Sequence, residues 1–256
     1  MSQPATPQPE PLARETRETL DAVGDQVAIA AAFWDAAFSE GRFLDLPPDG
    51  FVTAIAAAAE QHGLLPGPGL CIGPGNGRNY LPLVAAGLDL VGLDIAAAGL
   101  ASLSERAPDR ADRLVLGDLS ALPGDAVYPV VIGLNVFQHG TRAQASAHIS
   151  AALERVEPGG LFCLQVNSDR ARTNRPHELV ERADDGSFTV RYELPGTPGL
   201  YSHFFAEPSL AALLAGSTPV VPLHIDAIDP ATGEPGPWHR WQGIYRRPDP
   251  AEAAAS

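Results

Sequence analysis

The ten residues Leu70-Cys71-Ile72-Gly73-Pro74-Gly75-Asn76-Gly77-Arg78-Asn79 constrain this chain more than any other stretch. An apolar run meets three alternate glycines, and a helix-like segment, Tyr80 to Ala86, follows. That order reads as a buried strand, a tight turn and a helix N-terminus. Glycine in such a turn permits positive φ and removes the Cβ atoms that would hold a ligand off the backbone. The helix start offers unpaired N–H groups to a carboxylate or phosphate. The spacing is GxGxG. A dinucleotide-binding turn would read GxGxxG, and Arg78 stands where its third glycine belongs.

The next segments repeat one pattern, an apolar strand closed by a polar residue. Asp89-Leu90-Val91-Gly92-Leu93-Asp94-Ile95 ends in an acid, and Leu114-Val115-Leu116-Gly117-Asp118-Leu119 does the same. A fourth run, Val127 to Val136, is followed by Gln138 and His139 and carries Asn135 near its end; Glu157-Pro158-Gly159-Gly160-Leu161-Phe162 turns into a fifth. In an open α/β sheet, an acid at the tip of the second strand accepts hydrogen bonds from ribose hydroxyls. Asp94 and Asp118 also fit a plainer role as helix N-caps, since each follows a strand and precedes a helix or turn.

In this order the pieces resemble the class I S-adenosylmethionine-dependent methyltransferases, nearest the small-molecule type. The residues that carry the resemblance are the GxGxGRN run from Gly73 to Asn79, the GD-hydrophobic triplet Gly117-Asp118-Leu119 and the Pro158-Gly159-Gly160 turn. The likeness is strong from Leu70 to Val166 and looser beyond. It departs at Cys71, where the family usually carries Asp or Glu, so one contact near the cofactor's amino-acid end is missing. The resemblance implies an α/β fold: a Rossmann-like, doubly wound seven-stranded sheet with an antiparallel C-terminal hairpin and N-terminal capping helices. It implies S-adenosyl-L-methionine as cofactor, with Gly73, Gly75 and Gly77 along the methionine and ribose portions. Asp94 would take the ribose hydroxyls and Ile95 would pack on the adenine. Asp118 would take the adenine amino group, Leu119 would cover the ring's other side, and Asn135 would lie near the sulfonium.

Composition narrows the partners. The formal net charge is -14 and all 17 basic residues are arginine, so lysine chemistry is ruled out. Nucleic acid is excluded as a substrate, because phosphate contacts dominate that binding. Cys71 and Cys163 fall on strands two apart, separated by about 9–10 Å, beyond the roughly 7 Å a disulfide allows. They read as small buried hydrophobes. No histidine or cysteine group has metal-ligand spacing, so no metal is expected. The start of the chain reads as neither signal peptide nor membrane span, which points to the cytoplasm and to no membrane partner.

The expected organisation is a disordered proline-rich tail over 1–15 and a single methyltransferase domain over 16–256. Within it, 16–65 are capping helices, 66–167 the cofactor core, and 168–256 the substrate wall and C-terminal strands. Arg17 to Glu40 has helical spacing, and about Gly50 to His62 forms a second helix before a break at Pro66-Gly67-Pro68-Gly69. Phe33, Trp34, Phe38 and Phe43 form either a lid over substrate or an apolar face on the core. Asn167 to Pro198 reads as a long polar loop interrupted by a strand from Ser187 to Leu194. Tyr201 to Phe205 leads into a helix from Pro208 to Ala215, and two strands, about Val220 to Ile228 and Trp238 to Arg246, close the sheet.

Methyl transfer from a sulfonium mainly requires alignment. A base is needed only for a nucleophile with a high-pKa proton. His139, just past the fourth strand, is the first candidate and His203 the second. Trp34 and Tyr201 are expected on the substrate, a small molecule. Arg170, Arg172 and Arg175 form a local positive island, either a clamp for a substrate anion or a solvated loop paired with nearby acids. The function expected is transfer of a methyl group to a nitrogen or oxygen of that molecule. A non-methylating protein that keeps the cofactor site, as a sensor or for cyclisation, is the alternative, with a nicotinamide-dependent oxidoreductase behind it. Oligomeric state is not legible.

Overall fold

The computed structural model describes residues 26–173, 175–193, 199–229 and 236–249, so the expected tail over 1–15 lies outside the described residues. The first helix is described over α1 (Gln26–Ser39), and α2 (Phe51–Gln61) follows. Phe51, Val52, Ile55, Ala58 and Ala59 recur at helical spacing on α2 and are all buried, which defines its inward stripe.

From there strand and helix alternate. β1 (Gly67–Ile72), α3 (Tyr80–Ala85), β2 (Leu88–Asp94), α4 (Ala97–Arg106), β3 (Leu114–Leu116), β4 (Tyr128–Leu134), α5 (Arg142–Glu154) and β5 (Val156–Asn167) come in turn. After a small separate sheet come α6 (Glu207–Leu214), β9 (Thr218–Ile228) and β10 (Trp238–Arg246). The main sheet has the order β3-β2-β1-β4-β5-β10-β9. Its first five strands are parallel, and β10 runs antiparallel between β5 and β9. The seven strands and the reversed hairpin match the expected fold, whereas a dinucleotide-binding sheet has the order 3-2-1-4-5-6.

Two cores sandwich the sheet. On one side α2, α3 and α4 bring Ile55, Tyr80, Leu83 and Leu103 against Cys71, Ile132 and Cys163. On the other, α5 and α6 bring Ala145, Ile149 and Leu210 against Leu70, Val131 and Phe162. The start of α5 is set by a capping box, in which Thr141 and Gln144 satisfy each other's backbone N–H. Cys71 and Cys163 are buried and free, with β4 between their strands.

Two sequence expectations are corrected. The Pro66-Gly67-Pro68-Gly69 segment is not wholly a break, because β1 begins at Gly67 and pairs Gly67 with Leu88 and Gly69 with Leu90. Residues 167–198 are not a long loop with one strand. They contribute two strands, β6 (His177–Arg182) and β7 (Phe188–Tyr192), to an antiparallel sheet completed by β8 (Leu200–Phe204). Its polar residues concealed it: Thr189, Ser202 and His203 are buried and partnered rather than solvated. Bridges from His139 to Ser202 and from Ser168 to Phe205 fasten this sheet near the carboxyl ends of β4 and β5.

Truncating Ile55 to Ala removes a fully buried side chain from the stripe of α2. Urea denaturation should show a loss of about 2–5 kcal/mol. Thr53→Ala, on the exposed face of the same helix, should stay within about 0.5 kcal/mol.

Candidate active site

The glycine turn closes on itself through one carboxylate. Asp94, at the tip of β2, accepts the Gly75 N–H at 2.8 Å and the Ala96 N–H at 2.9 Å. Burial pushes its carboxyl pKa up, while these N–H bonds pull it back down. Gly73, Gly75 and Gly77 all have positive φ, at 70°, 53° and 90°. A Cβ on Gly73 would meet Val136 at 2.0 Å, and one on Gly75 would meet the Phe38 ring at 2.7 Å. The turn therefore excludes side chains at both positions. Gly77 is not among the lining residues of the cavity over this turn; a Cβ there would strike Leu103 and Leu81, so its absence lets α3 and α4 pack.

A cavity of about 520 Å³ opens over this turn, at the carboxyl ends of the parallel strands. Of the residues expected at the site, Trp34, Gly73, Gly75, Asp94, Ile95, Asp118, Leu119, Asn135 and His139 line it. Asp118 is the cap of the short turn that follows β3. It faces the cavity and also accepts the Ser120 N–H at 2.8 Å and hydroxyl at 2.6 Å, bonds that hold its pKa below the ordinary range. The thiol of Cys71 also lines the cavity; burial first, then the charge of Asp94, pushes its pKa up to about 12, so it is neutral.

The helix α1 roofs the cavity with Val27, Ala30, Trp34 and Phe38. Trp34 stacks on Phe38 with ring centroids 5.6 Å apart. Its indole nitrogen lies 3.2 Å from Nε2 of His139. An indole N–H only donates, so Nε2 is the acceptor and Nδ1 of His139 carries the proton. Burial pushes the His139 pKa down to about 4, and the imidazole is neutral. Asp35 secures the roof from outside by accepting the Ala98 N–H at 2.8 Å, near the start of α4.

His203, Tyr201, Arg170, Arg172 and Arg175 do not line the cavity. His203 is 1% exposed, bonded through Nδ1 to Thr189 and set edge-on to Phe205, which is the place of a packed structural residue. Tyr201 sits on β8, where its N–H meets Gln26 of α1. The three arginines are exposed on the loop before β6, and Arg170 lies over the Trp241 ring, 5.5 Å from its centroid. Of the nearby acids Glu178, Glu181, Asp184 and Asp185, two are paired elsewhere: Glu178 with Arg191 and Asp185 with Arg142.

Sequence reasoning missed a buried polar network at the end of the cavity nearest β9 and β10. Arg240, 3% exposed, donates to Asp49 at 2.7 Å and to Gln165 Oε1 at 2.9 Å, and it also pairs with Asp226. Gln165 Nε2 donates to Asp49 at 3.3 Å, and Asn135 Nδ2 donates to Gln165 Oε1. The available signal was Gln165 interrupting the apolar run of β5. A second cavity of about 360 Å³ shares Arg78, Ile228 and Arg240 with the first.

Residues 70–164 match the family of methyltransferase domains. The match spans the strands from β1 to β5 and so takes in the glycine turn and both strand-end carboxylates. No curated protein matches the sequence. Solved structures share the fold, among them a Burkholderia thailandensis 1,6-didemethyltoxoflavin-N1-methyltransferase with 1,6-didemethyltoxoflavin and S-adenosylhomocysteine bound. It is 20% identical at a TM-score of 0.60, over 95% of this chain and 94% of that one. A glycopeptide N-methyltransferase with S-adenosylmethionine is 18% identical at 0.52, over 79% and 95%. The magnesium protoporphyrin IX methyltransferase of Synechocystis PCC 6803 is 19% identical at 0.53, over 77% and 82%. The methyltransferase is an S-adenosylmethionine-dependent enzyme, and its cavity fits that cofactor: a turn closed to side chains, with carboxylates at the ends of two successive strands. Among the described residues no helix is long and apolar enough to cross a membrane.

His203 gives the protein an acid-sensitive core. Its pKa is depressed to about 4, first by burial and then by Arg142, against the opposing pull of Asp185. Between the ordinary histidine pKa near 6.5 and pH 4 the unfolded chain binds this proton and the folded one does not. Stability is therefore full above pH 6.5 and falls on acidification at up to roughly 1.4 kcal/mol per pH unit for this one site. Denaturation curves of His203→Gln across that window should show a shallower fall than wild type.

Proposed function

We propose that this methyltransferase acts on a nitrogen or oxygen of a small molecule held between α1 and the β9–β10 hairpin. The observation that carries this reading is the single cavity joining the glycine turn, Asp94 and Asp118 to Trp34, Asn135 and His139. S-adenosylmethionine supplies a methyl group already activated on a sulfonium. Gly73 and Gly75 let the backbone lie against its amino-acid and ribose portions. Each oxygen of Asp94 accepts one backbone N–H and keeps a lone pair for a ribose hydroxyl. Asp118 takes the adenine amino group, with Ile95 and Leu119 on the ring faces.

The remaining task is alignment, worth on the order of 7–11 kcal/mol. Trp34 and Phe38 close the roof, and Asn135 sets the polar edge beside the turn. A base role for His139 requires Trp34 to leave Nε2 first. Pockets of this size suit small ligands, and the charge of -14 supports the absence of a nucleic-acid partner. Two buried free cysteines support a cytoplasmic setting.

Titration calorimetry should detect S-adenosylhomocysteine binding and no binding of NAD. Asp94→Ala should weaken the former by about 1.5–3 kcal/mol, the range for a hydrogen bond to a charged group. Binding of NAD without S-adenosylhomocysteine would sink the assignment.

A further inference from the structure

The amide network of the cavity has a fixed polarity, and its last member faces the space left for substrate. A guanidinium donates and never accepts, so Gln165 must turn its oxygen to Arg240, which reaches it at 2.9 Å. The nitrogen of Gln165 then faces the carboxylate of Asp49, which only accepts. Gln165 Oε1 takes its second hydrogen bond from Asn135, at 2.5 Å. The Asn135 amide cannot be reversed, because that would set its oxygen against another acceptor. Its Nδ2 is therefore committed to the network and its Oδ1 is left as an acceptor, with no paired donor among the described residues.

The backbone holds this residue as firmly as its side chain. The Asn135 N–H donates to the Gln165 carbonyl at 2.8 Å, and the Asn135 carbonyl accepts from Gln138 Nε2 at 2.7 Å. Its φ is 58°, in the left-handed region that asparagine tolerates better than most residues. Such a conformation persists only where the surroundings over-determine it, and it clusters at functional sites. Asn135 ends β4 and lines the cavity beside Gly73 and His139.

Resting on the methyltransferase reading above, we propose that the methyl acceptor is a nitrogen bearing a hydrogen, and that Asn135 Oδ1 accepts a hydrogen bond from that N–H and selects for it. A neutral nitrogen attacks with its lone pair. The new N–C bond forms as the S–C bond breaks, and the bonding pair of the latter stays on sulfur. The positive charge passes to nitrogen, which keeps its hydrogen until after the transfer and then releases a proton to water. No base is consumed in that step. An oxygen acceptor would have to lose its proton during attack, and the histidine nearest Asn135 in the chain has its Nε2 lone pair occupied by Trp34. The aromatic walls formed by Trp34, Phe43 and Trp238 suit an aryl group carrying an amine, whose N–H nitrogen lies outside the ring and keeps its lone pair for attack.

Indole and benzofuran differ chiefly in an N–H against a ring oxygen, and they probe this acceptor directly. Calorimetry first establishes saturation with S-adenosylhomocysteine; failure there is failure of the methyltransferase reading itself. On the saturated protein, ligand-observed NMR should show indole binding about tenfold more tightly than benzofuran, since a site built to pair an N–H rejects the analogue without one. Asn135→Gly accepts φ 58° without strain and should erase that preference while leaving S-adenosylhomocysteine affinity unchanged. Equal binding of the two probes by wild type would overturn the proposal, as would a preference that survives in Asn135→Gly. An equal loss of S-adenosylhomocysteine affinity in the variant would return Asn135 to the cofactor pocket and also overturn it.

Discussion

Much of the site depends on the buried guanidinium of Arg240. It joins the turn before α2, through Asp49, to β5 through Gln165 and to β9 through Asp226. A charge so enclosed is tolerated only when it is paired and hydrogen-bonded, and breaking one such pair commonly costs about 3–5 kcal/mol. That penalty holds three separate segments in register at the rim of the cavity. It also propagates direction: because Arg240 only donates, the amides of Gln165 and Asn135 have one orientation each. A structural ion pair thereby fixes which way the amides point along a cavity that Arg240 also lines.

The fold was largely legible because its signals are local. The glycines of the turn, the acids at the ends of β2 and β3, and the Pro158-Gly159-Gly160 turn each report a backbone requirement within a few residues. The reversed β9–β10 hairpin was legible as two apolar runs near the C-terminus. The small sheet was not, because Thr189, Ser202 and His203 have the composition of a loop, and only their mutual hydrogen bonds make burial tolerable. Its first strand is exposed on almost every residue and carries no alternation to detect.

The site divides along the same line. The glycines and strand-end carboxylates that line the cavity could be read from spacing. Asp49, Gln165 and Arg240 could not, since they are distant in sequence and meet only when β10 inserts beside β5. Arg170, Arg172 and Arg175 illustrate the converse. A cluster in sequence drew attention, but their loop leads away from the cavity into β6, and charge density alone says nothing about direction.

The contact of Phe38 with the glycine turn has a kinetic consequence. Its ring fills the space beside Gly75 and lies as close to Gly99 on α4, where an added Cβ would meet it at 2.8 Å. While α1 is seated, that face of the turn is shut. Exchange of spent for fresh cofactor through this face must therefore wait for the helix to lift, which also parts Trp34 from His139. Lid opening and product departure limit turnover in many enzymes. Here the seating of one helix, rather than the movement of the methyl group, governs access through that face.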